Sequence, residues 1–333
     1  VRKAIKPTLA VLFAVVVLIP IQVFAQSDWE VEWSGFFSSY FHHTPDEKGF
    51  VLGPTEVDFF AQLHPRFSAN GALVGEYEFA TNSADIGVGV AYLEVLLQEE
   101  VSHKTIISNT GLAGGLFDVP FGIDYLLYAD PDRWNISTPI TADKMFDGGW
   151  TDVGAMFFST LWMIDLKAYS VNGYTERPAI GTTVDFIPVE WVHAGASYTI
   201  GLNATNDIDW DRIGGHGIIS YAGIEFCSEY IIGNDNKATT AAKHKGFYGQ
   251  GTFDFTDYFF PFYIGARYGM WQPDYDANGD TIADNDDLTR ITGYFGIHVI
   301  EPVTVKFEYQ MNKEEGGVET DNDEIWFGAV TAF

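Results

Sequence analysis

Arg267, Arg290 and Lys306 are the charges that fall into a pattern. Each sits on the polar phase of a run of alternating polar and apolar residues, and the three runs follow one another. Laid side by side, those runs would set the three cations in a stripe on one wall, with Lys167 adding a cation from an earlier run. The same phase carries Asp58, Glu76, Glu78, Glu94, Asp152, Asp165, Glu225, Glu229 and Glu308. Between residues 119 and 149 the chain offers Asp130, Asp132, Asp143 and Asp147, together with Arg133 and Lys144. A basic wall facing an acidic segment would create a transverse field, and charged walls are how water-filled pores sort ions. The plainer alternative is a set of solvated or locally paired charges.

Catalytic chemistry finds less support. The eight histidines (His42, His43, His64, His103, His193, His216, His244 and His298) are scattered. None lies in a Gly-x-Ser-x-Gly or His-Glu-x-x-His setting, and no Gly-rich phosphate loop is present. The expectation is that the chain is not an enzyme and requires no cofactor. His42-His43 could hold a transition metal or simply form a polar rim. Cys227 is the single cysteine, so no internal disulfide is possible.

The elements that must position these charges read as strands. In Val303–Met311, residues Val303, Val305, Phe307, Tyr309 and Met311 point one way, while Thr304, Lys306, Glu308 and Gln310 point the other. A soluble sandwich would bury the apolar side and a barrel would turn it to lipid; period two alone does not separate them. Counting back from Phe333 gives about 16 strands, near 29–41, 55–66, 71–80, 85–98, 105–118, 150–159, 161–171, 178–187, 189–202, 213–221, 225–233, 246–255, 258–271, 288–299, 303–311 and 324–333. Tight connections (Ile187-Pro188, Tyr221-Ala222-Gly223, Thr256-Asp257, Glu301-Pro302) alternate with longer polar ones at 203–212, 234–245, 272–287 and 312–323. Outer-membrane barrels have this rhythm, with turns on the periplasmic side and loops outside. The longest connection, 119–149, contains Pro120, Pro131, Pro139, Trp134 and Phe146. Its length suggests a functional segment, here one folded inward to narrow a pore.

Residues 1–25 read as a cleavable export signal. Arg2, Lys3 and Lys6 precede an apolar run from Leu9 to Val23, and Val23-Phe24-Ala25 places small residues at the cleavage positions. The barrel would then span 26–333 and end on an aromatic strand, Glu324–Phe333. No later stretch reaches about 18 consecutive apolar residues, the length of a helical span. Aromatic residues make up 16% of the chain and glycines number 34, which suits strands with lipid on one side and water on the other. Three of the 18 Lys and Arg fall in the export signal, so 15 face 46 Asp and Glu. Such a charge repels nucleic acid and attracts cations.

Gly114-Gly-Leu-Phe-Asp-Val-Pro-Phe-Gly122, Gly149-Trp-Thr-Asp-Val-Gly154 and Ser228-Glu-Tyr-Ile-Ile-Gly233 resemble strand and strand-to-loop signatures of the phosphate-selective porin O and P family. The resemblance implies a 16-stranded porin, commonly trimeric, with the third outer loop folded inward. Phosphate-selective relatives line their pores with many Lys and Arg; with 15 basic residues spread along the chain, phosphate selectivity is not carried over. Separately, Asp276–Asp287 resembles calcium loops of the thrombospondin type 3 and dockerin kind, with Thr281 where those loops usually have Gly. That resemblance implies oxygen ligands from Asp276, Asn278, Asp280, Asp284 and Asp287 and a Ca²⁺ that stiffens an outer loop. The alternative is a solvated acidic loop.

The expectation is therefore an all-β, transmembrane antiparallel barrel of about 16 strands in a bacterial outer membrane. It would be a water-filled channel for small hydrophilic solutes or ions, a homotrimer, embedded in lipid and lipopolysaccharide and binding no nucleic acid. A substrate-specific channel for oxyanions, phosphate or sugars, with Tyr248, Tyr263 and Tyr294 inward, and a plugged surface barrel with a structural or adhesive role stay open.

Overall fold

The computed structural model describes residues 30–45, 48–78, 83–98, 107–127, 129–146, 148–173, 178–202, 208–237, 240–258, 260–273, 287–315 and 322–333; at 76–78, 83–84, 236–237, 240–242 and 315 it describes the backbone alone. The expected export signal lies outside these residues. Sixteen strands follow in order: β1 (Glu30–His43), β2 (Lys48–His64), β3 (Phe67–Glu78), β4 (Ser83–Gln98), β5 (Ile107–Asp118), β6 (Thr151–Leu161), β7 (Ile164–Val171), β8 (Ala179–Val189), β9 (Val192–Leu202), β10 (Ile208–Tyr221), β11 (Ile224–Lys237), β12 (Thr240–Asp254), β13 (Phe262–Pro273), β14 (Asp287–Ile300), β15 (Val303–Glu315) and β16 (Glu324–Ala332). Each pairs antiparallel with its chain neighbours, and β1 pairs with β16, so the sheet closes. At the seam Gly35 and Phe333 exchange backbone hydrogen bonds of 3.0 and 2.9 Å. Closure leaves no open edge, and only helices and closed barrels can satisfy every backbone group within lipid.

The two faces invert the pattern of a soluble protein. On β13 to β15, Arg267 is 3% exposed, Lys306 2% and Glu308 0%, while Ile264 is 53% exposed and Phe295 42%. Apolar side chains thus form the outer surface and polar ones the interior. Burying such charges is tolerable only with bonded partners, and the exposed apolar belt requires lipid to cover it. Trp162, Trp191, Tyr221, Tyr258 and Phe260 are all exposed around one rim, at the short turns, where an aromatic girdle meets the membrane interface.

Several boundaries differ from the sequence reading. The expected turn at Ile187-Pro188 is strand; β8 runs to Val189 and the reversal falls at Glu190–Trp191. The expected loop at 234–245 is mostly paired strand, with Lys237 opposite Thr240. Its residues are polar on both faces because the hairpin continues in register where apolar alternation has ended. Backbone pairing, unlike the apolar pattern, does not stop there.

Candidate functional site

The connection between β5 and β6 contains a 3₁₀ turn at Asp124–Leu126 and one short helix, α1 (Ile140–Phe146). Its base is closed by Val119 N–H donating to Trp150 O at 2.7 Å. Val119, Phe121, Met145, Phe146 and Trp150 are buried with Phe117, Tyr169, Val171, Trp210 and Ile231 from the strands. Gly246 and Gly269 make room for α1: a Cβ at Gly269 would lie 2.8 Å from Ile140 Cγ2, and one at Gly246 3.1 Å from Thr141 Cγ2.

Polar bonds fasten the segment to many strands. On β15, Lys306 Nζ donates to the carbonyls of Asp130 (2.6 Å), Arg133 (2.5 Å) and Asn135 (3.4 Å). The Glu308 carboxylate accepts from Ile136 N–H (2.6 Å), Ser137 N–H (3.0 Å), the Ser137 hydroxyl and Gln310 Nε2 (2.8 Å). On β13, Arg267 donates to Ser137 O (3.0 Å) and Oγ (2.6 Å), and Tyr263 OH donates to Trp134 O (2.6 Å). Trp134 Nε1 donates to Glu225 of β11 (2.6 Å), and Tyr40 of β1 donates to Asp130 (2.6 Å). Glu229 of β11 accepts from Ile123 N–H (2.8 Å) and the Thr141 hydroxyl (2.6 Å). Thr183 of β8 donates to Pro120 O, Ser197 of β9 accepts from Gly122 N–H (3.1 Å), and Lys167 of β7 donates to Tyr125 OH (2.6 Å). Within the segment Arg133 donates to Leu127 O (2.8 Å) and pairs with Asp124 (3.2 Å). Burial pushes the Asp124 carboxyl above its ordinary range, against the pull of Arg133 and Arg267.

Arg267, Arg290 and Lys306 do come from three successive strands, all facing inward. Their donors point into protein: Arg267 and Lys306 into the segment, Arg290 to Asn312 (2.8 Å) and Asp143 (3.7 Å). Lys144 pairs with Asp143 at 3.7 Å. Asp132 lines a cavity of about 600 Å³ with Trp134, Tyr263, His298 and Thr304 beside the β14–β15 turn. Glu94 faces inward on β4; the Glu76 side chain and Asp147 lie outside the described residues. Of the expected calcium ligands, Asp276, Asn278, Asp280 and Asp284 lie outside the described residues, and Asp287 begins β14, accepting from Gln272 Nε2 at 3.0 Å. Tyr248, Tyr263 and Tyr294 face inward and are buried.

The opposite wall differs in sign. Glu56 and Asp58 of β2 and Glu94 of β4 face inward and are half-buried. Strands β3 to β6 contain no Lys or Arg. Among the described residues none of these three carboxylates has an ion-pair partner, and β2 to β4 take no part in the bonds that hold the segment. Two other residues that sequence reading passed over, His193 and His216, converge on Asp185 at the inner face of β8 to β10. Register was the missing signal: Asp185 lies opposite Gly195, which lies opposite His216.

No family model matches the chain, and no curated protein matches it in sequence. Solved structures match its fold. An anion-selective porin from Comamonas acidovorans aligns at TM-score 0.66 and 10% identity over 92% of this chain and 100% of that one. OmpT, an outer membrane protein of Vibrio cholerae in a trimer form, aligns at 0.65 and 12% over 92% and 100%. Salmonella typhi OmpF, in complex with daunomycin, aligns at 0.63 and 12% over 91% and 97%. The fold is thus that of bacterial outer-membrane barrels of the porin kind.

Proposed function

We propose that the protein is an outer-membrane diffusion channel in which the 119–149 segment lies across the lumen as the constriction, and that it favours cations or neutral hydrophilic solutes. The observation that carries this reading is the segregation of inward charge. Arg267, Arg290 and Lys306 on β13 to β15 are spent on protein partners, whereas Glu56, Asp58 and Glu94 on the other wall have no cationic partner among the described residues. A passage between the segment and β2 to β4 is therefore lined by carboxylates, which raise the local concentration of cations. Transport is passive and uses no catalytic group. The anion-selective neighbour supplies the fold for this reading but not its sign.

The oxyanion reading needs free guanidinium and ammonium groups, and Arg267 and Lys306 are occupied. The sugar reading needs open aromatic faces; Tyr263 and Tyr294 are buried and bonded to Trp134 and Thr252. A plugged barrel is the reading that the many bonds to the segment favour next. We propose a homotrimer by analogy with the trimeric neighbour, and divalent cations, calcium at 276–287 among them, between acidic outer segments and lipopolysaccharide phosphates. Reconstitution in a planar bilayer tests the channel: stepwise ohmic conductance is expected, and a silent bilayer with folded protein would favour the plugged barrel.

A further inference from the structure

We infer that Asp185, His193 and His216 form a binding site for a divalent transition-metal ion on the inner wall of the barrel. The three side chains come from adjacent strands β8, β9 and β10. Asp185 Oδ1 lies 3.0 Å from His193 Nε2 and 3.1 Å from His216 Nε2, and the three atoms all lie within 4.8 Å of one another. A tetrahedral zinc with ligand bonds of about 2.0–2.1 Å holds its ligand atoms about 3.3 Å apart, close to the two separations from Asp185. The His216 side chain is 0% exposed and that of Asp185 1%; both imidazole nitrogens stand at ion-pair distance from Asp185 Oδ1, yet neither contact has hydrogen-bond geometry. Three buried polar atoms brought together with only two poorly directed contacts carry a desolvation cost that a shared cation would offset more fully.

The surroundings fit such an ion. Gly195 lies between the ligands, and a Cβ there would stand 2.5 Å from His216 Nε2, so only glycine leaves the space. The second oxygen of Asp185 accepts from the Tyr125 hydroxyl at 3.3 Å, an outer contact that fixes the carboxylate. Asp165 lies opposite Asp185 in the β7–β8 register and faces the same way, adding negative potential against Lys167, which is bonded to Tyr125. His193, with 19% of its side chain exposed, gives access from the lumen. Two imidazole nitrogens and one carboxylate suit Zn²⁺, Ni²⁺, Co²⁺ or Fe²⁺ and not the oxygen-seeking Ca²⁺ or Mg²⁺. This site is separate from the acidic outer loop and does not depend on the channel's selectivity.

The test is a Zn²⁺ titration of the chelator-treated protein in detergent micelles, with millimolar Ca²⁺ present to fill oxygen-only sites. One equivalent of zinc should bind per chain. Asp185→Asn, His193→Gln and His216→Gln should each weaken binding at least about tenfold, with strand circular dichroism unchanged. Gly195→Ala, which keeps all three ligands, should weaken it too. Where a ligand variant fails to fold, Co²⁺ bound to the wild-type protein decides: a visible spectrum of imidazole coordination supports the site, and an all-oxygen spectrum overturns it. The site is equally overturned if zinc does not saturate by millimolar concentration, or binds all folded variants with one affinity.

Discussion

Glu308 and Lys306 hold neighbouring points of the 119–149 segment. The Glu308 carboxylate takes two backbone N–H groups and a hydroxyl from Ile136 and Ser137, while Lys306, two residues away, takes three carbonyls. Charge-assisted bonds of this kind are strong, and removing one partner leaves the other groups buried and unpaired. We expect Glu308→Ala to cost the segment on the order of 2–4 kcal/mol, read as lost amide-exchange protection at Ile136 and Ser137 in the folded barrel. Unchanged protection would mean that the segment is held elsewhere. On the acidic wall, Glu94→Gln should lower the cation preference without altering the fold. A unit charge about 4 Å from a permeating ion is worth about 1 kcal/mol in water, roughly a fivefold change in the permeability ratio. A ratio that stays the same would remove Glu94 from the ion path.

At the scale of the element, the segment is an insertion between two strands that already pair, Val153 opposite Leu116 and Gly154 opposite Gly115. Replacing 120–148 with a short Gly-Ser link should therefore leave a closed barrel. Single-channel conductance should rise severalfold, and cation preference should fall as Arg267 and Lys306 come to face water. Equal conductance would show that the segment does not limit the passage. All 16 strands were legible in the sequence, as was the inward parity of Arg267, Arg290, Lys306, Glu94 and Glu308, because lipid and water impose opposite demands on alternate residues. The partners of those charges were not legible. Glu308 meets Ile136 across 172 positions of sequence, and alternation within a strand says nothing about what an irregular segment touches. His193 and His216 were equally hidden, since their meeting with Asp185 depends on register across three strands. The reach of β11 and β12 was missed because paired backbone continues after the apolar pattern has ended.

For the whole molecule, carboxylates on the inner wall of β2 to β4 act beside the passage while the chain's other acidic charges act from farther out, and salt separates the two. The screening length falls from about 10 Å at 0.1 M to about 3 Å at 1 M. Attraction from outer charges should disappear over that range, while carboxylates along the passage keep acting at contact distance. Cation preference should thus weaken in high salt without vanishing. The most direct measurement is the reversal potential of the reconstituted channel across a KCl gradient at moderate salt. A potential of the sign set by K⁺ is predicted, moving toward zero in a variant combining Glu56→Gln, Asp58→Asn and Glu94→Gln. A potential of the sign set by Cl⁻ would contradict the account, since it would place Arg267, Arg290 and Lys306, and not the acidic wall, in control of the passage.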